Sequence, residues 1–202
     1  MNVSTPPDST TAVRRAVTLV ALLNIAYFGV EFAVATRIGS VSLFADSIDF
    51  LEDTAVNALI LLGLAWSARR RAKLAMGLAM VLLIPGIATL WTAWQQWQSA
   101  HVPAPEPLAL TGLGALLVNL SCAFVLAKVR RAHGSLTRAA FLSARNDAIA
   151  NVAIVIAGGL TAWGRSRWPD LTVGLGIFLM NLDAAREIMQ TARGEHRAAA
   201  KP

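Results

Sequence analysis

Residues 44–53 read Phe44-Ala45-Asp46-Ser47-Ile48-Asp49-Phe50-Leu51-Glu52-Asp53, four carboxylates inside an apolar run that extends from Val41 to Trp66. Hydrocarbon cannot solvate a carboxylate, so an acid inside such a run is a functional-site candidate by default. Another, Asp147, lies in a second apolar run far down the chain. Acids so placed imply a chain that handles a cation.

Composition puts these runs in a bilayer. The 202 residues are 55% hydrophobic and 15% charged, with a mean hydropathy of +0.54, more apolar than an ordinary soluble domain. Stretches of about 20 apolar residues, the length that crosses hydrocarbon, are predicted over Val13–Thr36, Val41–Trp66, Leu74–Trp94, Leu108–Ala127, Ala139–Trp163 and Leu171–Met189. The expected fold is an all-α membrane protein with six transmembrane helices. A polar segment 1–12 precedes the six-helix domain 13–190, and a short basic tail 191–202 follows it.

Positive charge sets the expected orientation, because flanking Lys and Arg stay on the cytoplasmic side. Arg14 and Arg15 precede the first span, Arg69–Arg71 and Lys73 separate the second and third, Lys128, Arg130, Arg131 and Arg138 separate the fourth and fifth, and Arg193, Arg197 and Lys201 follow the sixth. The opposite loops hold only Arg37, Arg165 and Arg167, diluted by Glu106 and Asp170. Both termini are therefore expected in the cytoplasm, in a multi-pass protein of the inner (plasma) membrane. The net charge of +6 is then topological and needs no nucleic acid to explain it. All six tryptophans (Trp66, Trp91, Trp94, Trp97, Trp163, Trp168) fall at span ends, as interfacial anchors do. A removable leader is not expected from the polar, Pro-containing start, and the single Cys122 rules out an intrachain disulfide or CxxC metal chemistry.

Helical geometry sorts the charges. At about 100° per residue, Asp46, Asp49, Asp53 and Asn57 share one arc of the second span, with Glu52 at its edge. Ser143, Asn146, Asp147, Ala150 and Asn151 share a face of the fifth, from which Arg145 points away. Asp49 and Asp53 lie about 12–18 Å from the outer start of their helix at about 1.5 Å per residue, so they can meet Asp147 near the midplane. A weak repeat accompanies this: Leu23-Asn24-Ile25 resembles Val118-Asn119-Leu120, and Glu52-Asp53-Thr54-Ala55-Val56-Asn57 resembles Asn146-Asp147-Ala148-Ile149-Ala150-Asn151. Its spacings are 29 residues (24 to 53) and 28 (119 to 147). Carriers often place a midplane site between such inverted halves.

These residues resemble the cation diffusion facilitator family. Gly39-Ser40-Val41-Ser42-Leu43 leads to Asp49 and Asp53, and Ser143-Ala144-Arg145-Asn146-Asp147 stands where the family usually offers His-x-x-x-Asp. Asn24 and Glu31 in the first span and Trp168-Pro169-Asp170 before the sixth are also similar, so the resemblance covers Arg14 to Met189. It implies a divalent cation exporter, an antiporter exchanging metal for protons and working as a homodimer in the lipid bilayer, with Zn²⁺, Cd²⁺ or Co²⁺ as first expectation and Mn²⁺ or Fe²⁺ open. The chain departs from the family pattern in two ways. Thr191–Pro202 is too short for the usual ferredoxin-like cytoplasmic domain, so a short member lacking it is expected. His101, His133 and His196 lie in expected loops or the tail, so a midplane site offers only oxygen ligands, which suit Mn²⁺ or Mg²⁺ better than a histidine-bearing site would.

The expected ligands are Asp49, Asp53 and Asp147, with Ser143, Asn146 or Asn151 completing the shell. No catalytic residue and no resident cofactor are expected, the cation being cargo. Crowded carboxylates repel one another without metal, so protons are expected to replace it as it leaves. Asp46 is balanced between a structural and an entry role. Glu31 and Glu52 are read as solvated or packing residues, Asn24 and Asn119 as interhelical glue. Pro85-Gly86 is read as a kink, and Gly112, Gly114, Gly158, Gly159, Gly174 and Gly176 as close-packing sites. Two rivals stay open: an intramembrane aspartyl enzyme, disfavoured by the absence of Gly-x-Gly-Asp, and a non-transporting partner subunit, disfavoured by the retained acids.

Overall fold

The computed structural model describes residues 7–63, 68–129 and 134–198. They form six α-helices in chain order: α1 (Pro7–Ile38), α2 (Val41–Gly63), α3 (Ala68–Ser99), α4 (Pro105–Val129), α5 (Gly134–Gly164) and α6 (Trp168–Ala198). Each expected span falls on its own helix where it is described, the end of the second span, residues 64–66, lying outside the described residues, and α3 and α6 run well past the expected boundaries. Where described, the expected polar segment and tail are helical too, from Pro7 and as far as Ala198, so His196 sits on α6. Trp66, Arg130, Arg131, His133 and Lys201 lie outside the described residues.

Three described helices, Thr11–Ile38, Pro105–Val129 and Ser143–Gly164, are long and apolar enough to cross a membrane, with hydropathies of 1.9, 2.0 and 1.4. They turn large apolar side chains outward, among them Leu22, Leu117, Phe124, Ile149 and Ile156, while Asn24, Asn57, Asn119 and Asn151 are buried. That is the pattern a lipid solvent selects. Exposed Trp97, Trp163 and Trp168 lie near the ends of α3, α5 and α6, and Trp97 packs edge-on to Trp168 with ring centroids 5.2 Å apart.

The acidic helix α2 is the axis of the molecule. It touches all five other helices, and every residue from Val41 to Ile48 is buried. Two residues link it to α1. Gly39 takes a left-handed φ of 66°, and Ser40 N donates to Ala35 O at 3.1 Å, the closing bond of a Schellman motif. Ser40 then caps α2, its Oγ accepting from Leu43 N at 3.2 Å.

A single side chain ties this corner to the other half. Asp170, fully buried in the first turn of α6, accepts from Ser40 Oγ (2.7 Å), Val41 N (2.9 Å) and Ser42 N (3.2 Å), from Ser42 Oγ, and from Gln96 Nε2 of α3 (2.9 Å). An anion at the α2 N-terminus also meets the positive end of the helix dipole. Gln96 donates in addition to Gly39 O at 3.1 Å. In the sequence Asp170 reads as a loop charge offsetting arginine; the fold makes it a buried anchor.

Small residues set the helix spacing. A Cβ on Gly174 would lie 2.6 Å from Ser42 N and Val41 C, one on Gly158 3.0 Å from the Ala109 backbone, and one on Gly112 2.7 Å from Ile154. Gly114 abuts Tyr27, whereas Gly159 and Gly176 have nothing within 4 Å and are not packing sites. α3 is assigned as one helix through Pro85, and Gly86 lies against Phe178 of α6, 3.3 Å from a Cβ position.

Removing the Asp170 carboxylate strands several buried donors, each costing about 1–3 kcal/mol when unpaired. Asp170→Ala is expected to lower stability by on the order of 3 kcal/mol, and Asp170→Asn by less. Thermal unfolding of the purified chain in detergent tests this; an unchanged midpoint would remove Asp170 from its anchoring role.

Candidate functional site

α2 and α5 run antiparallel past each other, which carries Asp53 to Ser143 and Asp46 to Asn151. Between them and α6 lies a cavity of about 170 Å³ lined by Asp49, Glu52 and Asp53 of α2, Ser143, Asn146 and Asp147 of α5, and Met180 and Asn181 of α6. Five of the six expected ligands thus share one cavity wall.

Asp53 is the best-held of the acids. Its Oδ1 accepts from Ser143 Oγ at 3.0 Å and its Oδ2 from Asn24 Nδ2 of α1 at 3.3 Å. Ser143 Oγ also lies 3.5 Å from Asp147 Oδ2, and its one proton serves one carboxylate at a time. Asn24 Oδ1 accepts in turn from Cys122 Sγ of α4 at 3.4 Å, so Asn24 joins three helices as well as orienting Asp53. Asn57 Nδ2 donates to the Asp53 carbonyl at 2.7 Å. Asn146 is exposed, and its Oδ1 accepts from the exposed Arg145 at 3.3 Å.

The sixth expected ligand lies elsewhere. Asn151 is fully buried, donates to Asp46 Oδ2, and accepts from Asn119 Nδ2 at 2.9 Å. It therefore belongs to a neighbouring α2–α4–α5 network and does not line the cavity. Glu52, expected to be solvated or packing, is 8% exposed and lines the cavity, because α2 has no solvated side at this level. Met180 and Asn181 were missed; an asparagine in the apolar run of α6 was the available signal. Asn181 Nδ2 donates to the Ala45 carbonyl at 3.3 Å.

Among the described residues, no lysine or arginine pairs with Asp49, Glu52, Asp53 or Asp147. Glu52 and Asp53 are buried and Asp49 and Asp147 partly so; carboxylates withdrawn into a low-dielectric interior demand compensation, and a divalent cation or protons can supply it. Among the described residues no three Asp, Glu, His or Cys side chains converge to ligating distance. The acids line a wall wider than a coordination shell, and a cation here would draw them inward.

Known sequences agree with this architecture. The cation efflux transmembrane domain matches residues 17–193. The chain belongs to the cation efflux family. It is similar to the cation-efflux pump FieF of Salmonella typhi, 29% identical over 158 residues, and to FieF of Klebsiella pneumoniae, 29% identical over 161 residues; each match covers 70% of this chain and 52% of the relative. The chain thus spans about half the length of the curated relatives it matches. The family resemblance read from Gly39–Asp53 and Ser143–Asp147 is confirmed, and the chain is a multi-pass protein of the inner membrane in a family of transporters.

Asn24 bonds Asp53 from outside the cavity, and were Asp53 to hold a metal, a group orienting it from there would be worth about 10–100-fold in affinity. Asn24→Ala is expected to weaken binding of Zn²⁺ or Mn²⁺ by about tenfold while the purified protein stays folded. Titration beside wild type checks this, and equal affinities would confine Asn24 to helix packing.

Proposed function

We propose that this chain exports a divalent metal cation, with Asp49, Asp53 and Asp147 as its principal ligands and Ser143 and Asn146 as further oxygen donors. The observation that carries this reading is the cavity in which residues of α2 and α5 face one another at Asp53, Ser143 and Asp147. The relatives' name supplies the direction of transport. The cation is cargo, and no resident cofactor takes part.

Proton coupling follows from charge. A wall of carboxylates that has lost a divalent ion inside hydrocarbon is stabilised by protons taking its place, so metal leaving one side draws protons inward from it. We place both termini in the cytoplasm, where Arg14, Arg15 and Lys128 gather at one end of the molecule, and assign a homodimer as the working unit. The oxygen-only wall extends the range of cargo from Zn²⁺, Cd²⁺ and Co²⁺ toward Mn²⁺ and Fe²⁺.

Proteoliposomes holding the purified chain are expected to take up at least one of these ions when their lumen is acidic, and to slow when nigericin collapses the gradient. Asp53→Ala and Asp147→Ala are each expected to abolish uptake. If no ion moves, or if both variants transport like wild type, the carrier reading of these aspartates fails and a partner-subunit role takes its place.

Ser143 supplies a second, sharper test. Ser143→His places an imidazole between Asp53 and Asp147 and is expected to shift the ranking toward Zn²⁺ and Cd²⁺ at the expense of Mn²⁺. An unchanged ranking would show that residue 143 does not meet the cargo.

A further inference from the structure

Glu31 of α1 is fully buried, and neither carboxylate oxygen has a hydrogen-bond partner. The group it meets is another carboxyl. Asp46 of α2, also fully buried, stands within hydrogen-bonding reach of it. Asp46 Oδ2 accepts from Asn151 Nδ2, but its Oδ1 has no partner. Three buried carboxylate oxygens on two neighbouring helices are thereby left without a donor.

The surroundings offer none. Tyr27, one turn before Glu31, donates its hydroxyl to Thr111 O at 2.7 Å, and Ser47, next to Asp46, donates to Phe44 O at 2.7 Å. Asn119 Nδ2 is committed to Asn151, and Asn119 Oδ1 is itself unpartnered. The nearby charges, Asp49 and Asp53, have the same sign. Among the described residues no lysine or arginine reaches the pair. Two like charges in contact inside hydrocarbon require a counter-ion. One shared proton answers two of the three free oxygens, whereas a cation seated between the carboxyls answers all three.

We propose that Glu31 and Asp46 form a second station for a hard divalent cation, distinct from the α2–α5–α6 cavity. Neither residue lines that cavity, and Asp46 lies seven residues, about 10 Å, from Asp53 toward the start of α2. Two carboxylates with no nitrogen or sulfur donor select an oxygen-seeking ion such as Mn²⁺ or Mg²⁺. Placed on the same helix as the cavity, the station receives an ion that leaves it, and repulsion between two bound ions weakens the hold on each, as between adjacent sites in a pore. The proposal rests on the cation-carrier reading of the chain and extends it from one site to two.

Manganese counting tests both layers separately. Mn²⁺ is titrated into the purified full chain in detergent micelles, and the free ion is read from its electron paramagnetic resonance signal. Wild type is expected to bind two Mn²⁺ per chain. Glu31→Gln, Asp46→Asn and Asp53→Asn are each expected to bind one, and Glu31→Gln combined with Asp53→Asn none. In EDTA, Glu31→Gln is expected to unfold at a higher temperature than wild type because the like-charge contact is gone; if that variant does not fold, Asp46→Asn carries the count. One Mn²⁺ in wild type, retained by Glu31→Gln and lost in Asp53→Asn, leaves the cavity standing and overturns the second station, with a proton as the counter-ion of the pair. Two Mn²⁺ in wild type, unchanged by both Glu31→Gln and Asp46→Asn, also overturns it. No bound Mn²⁺ in wild type overturns the station and counts against the carrier reading on which it rests.

Discussion

A carboxylate cannot face hydrocarbon, and this chain puts four of them on one helix within eight residues. The arrangement of the bundle follows from that constraint. α2 has to be enclosed, and it is enclosed by every other helix. Those neighbours present amides and hydroxyls to it from Asn24, Ser143, Asn151 and Asn181, while their outer faces carry leucine, isoleucine and phenylalanine. The polar interior and apolar exterior are one solution to one problem of solvation.

Much of this was legible in the sequence because it depends on local periods. Six spans follow from hydropathy, and the shared arc of Asp49 and Asp53, like that of Ser143 and Asp147, follows from 100° per residue. What periodicity cannot supply is the identity of the neighbour. Glu52 sits at the edge of the acidic arc and reads as a solvated or packing residue, whereas the fold buries it in the cavity wall. Asn151 shares a helical face with Asp147, yet one further turn along α5 brings it opposite Asp46 instead of the cavity. Asp170 reads as a loop charge, since nothing local reveals that the start of α2 lies against the start of α6. Glu31 reads as a solvated or packing residue because nothing local in the sequence reveals its neighbour Asp46.

The faint repeat gains physical content from the helices. Asn24 of α1 donates to Asp53 of α2, and Asn119 of α4 donates to Asn151 of α5. Each half thus uses an asparagine on its first helix to hold a polar residue on its second, a short-range bond available when two helices pack closely. The halves differ in what they hold: a carboxylate of the cavity in the first, and an amide that reaches Asp46 in the second.

The corner at Gly39–Ser40, closed by Asp170 and by the contact of Gly174 with the backbone of Val41 and Ser42, fixes one end of α2 as a pivot. Asp53 lies twelve residues along that helix, a lever arm of about 18 Å at about 1.5 Å per residue. A tilt of about 10° about the fixed end would sweep Asp53 through about 3 Å, more than the 2.0–2.6 Å length of a metal–oxygen bond. A small rotation at one tightly bonded end is therefore geometrically sufficient to open or close a grip on an ion at the other.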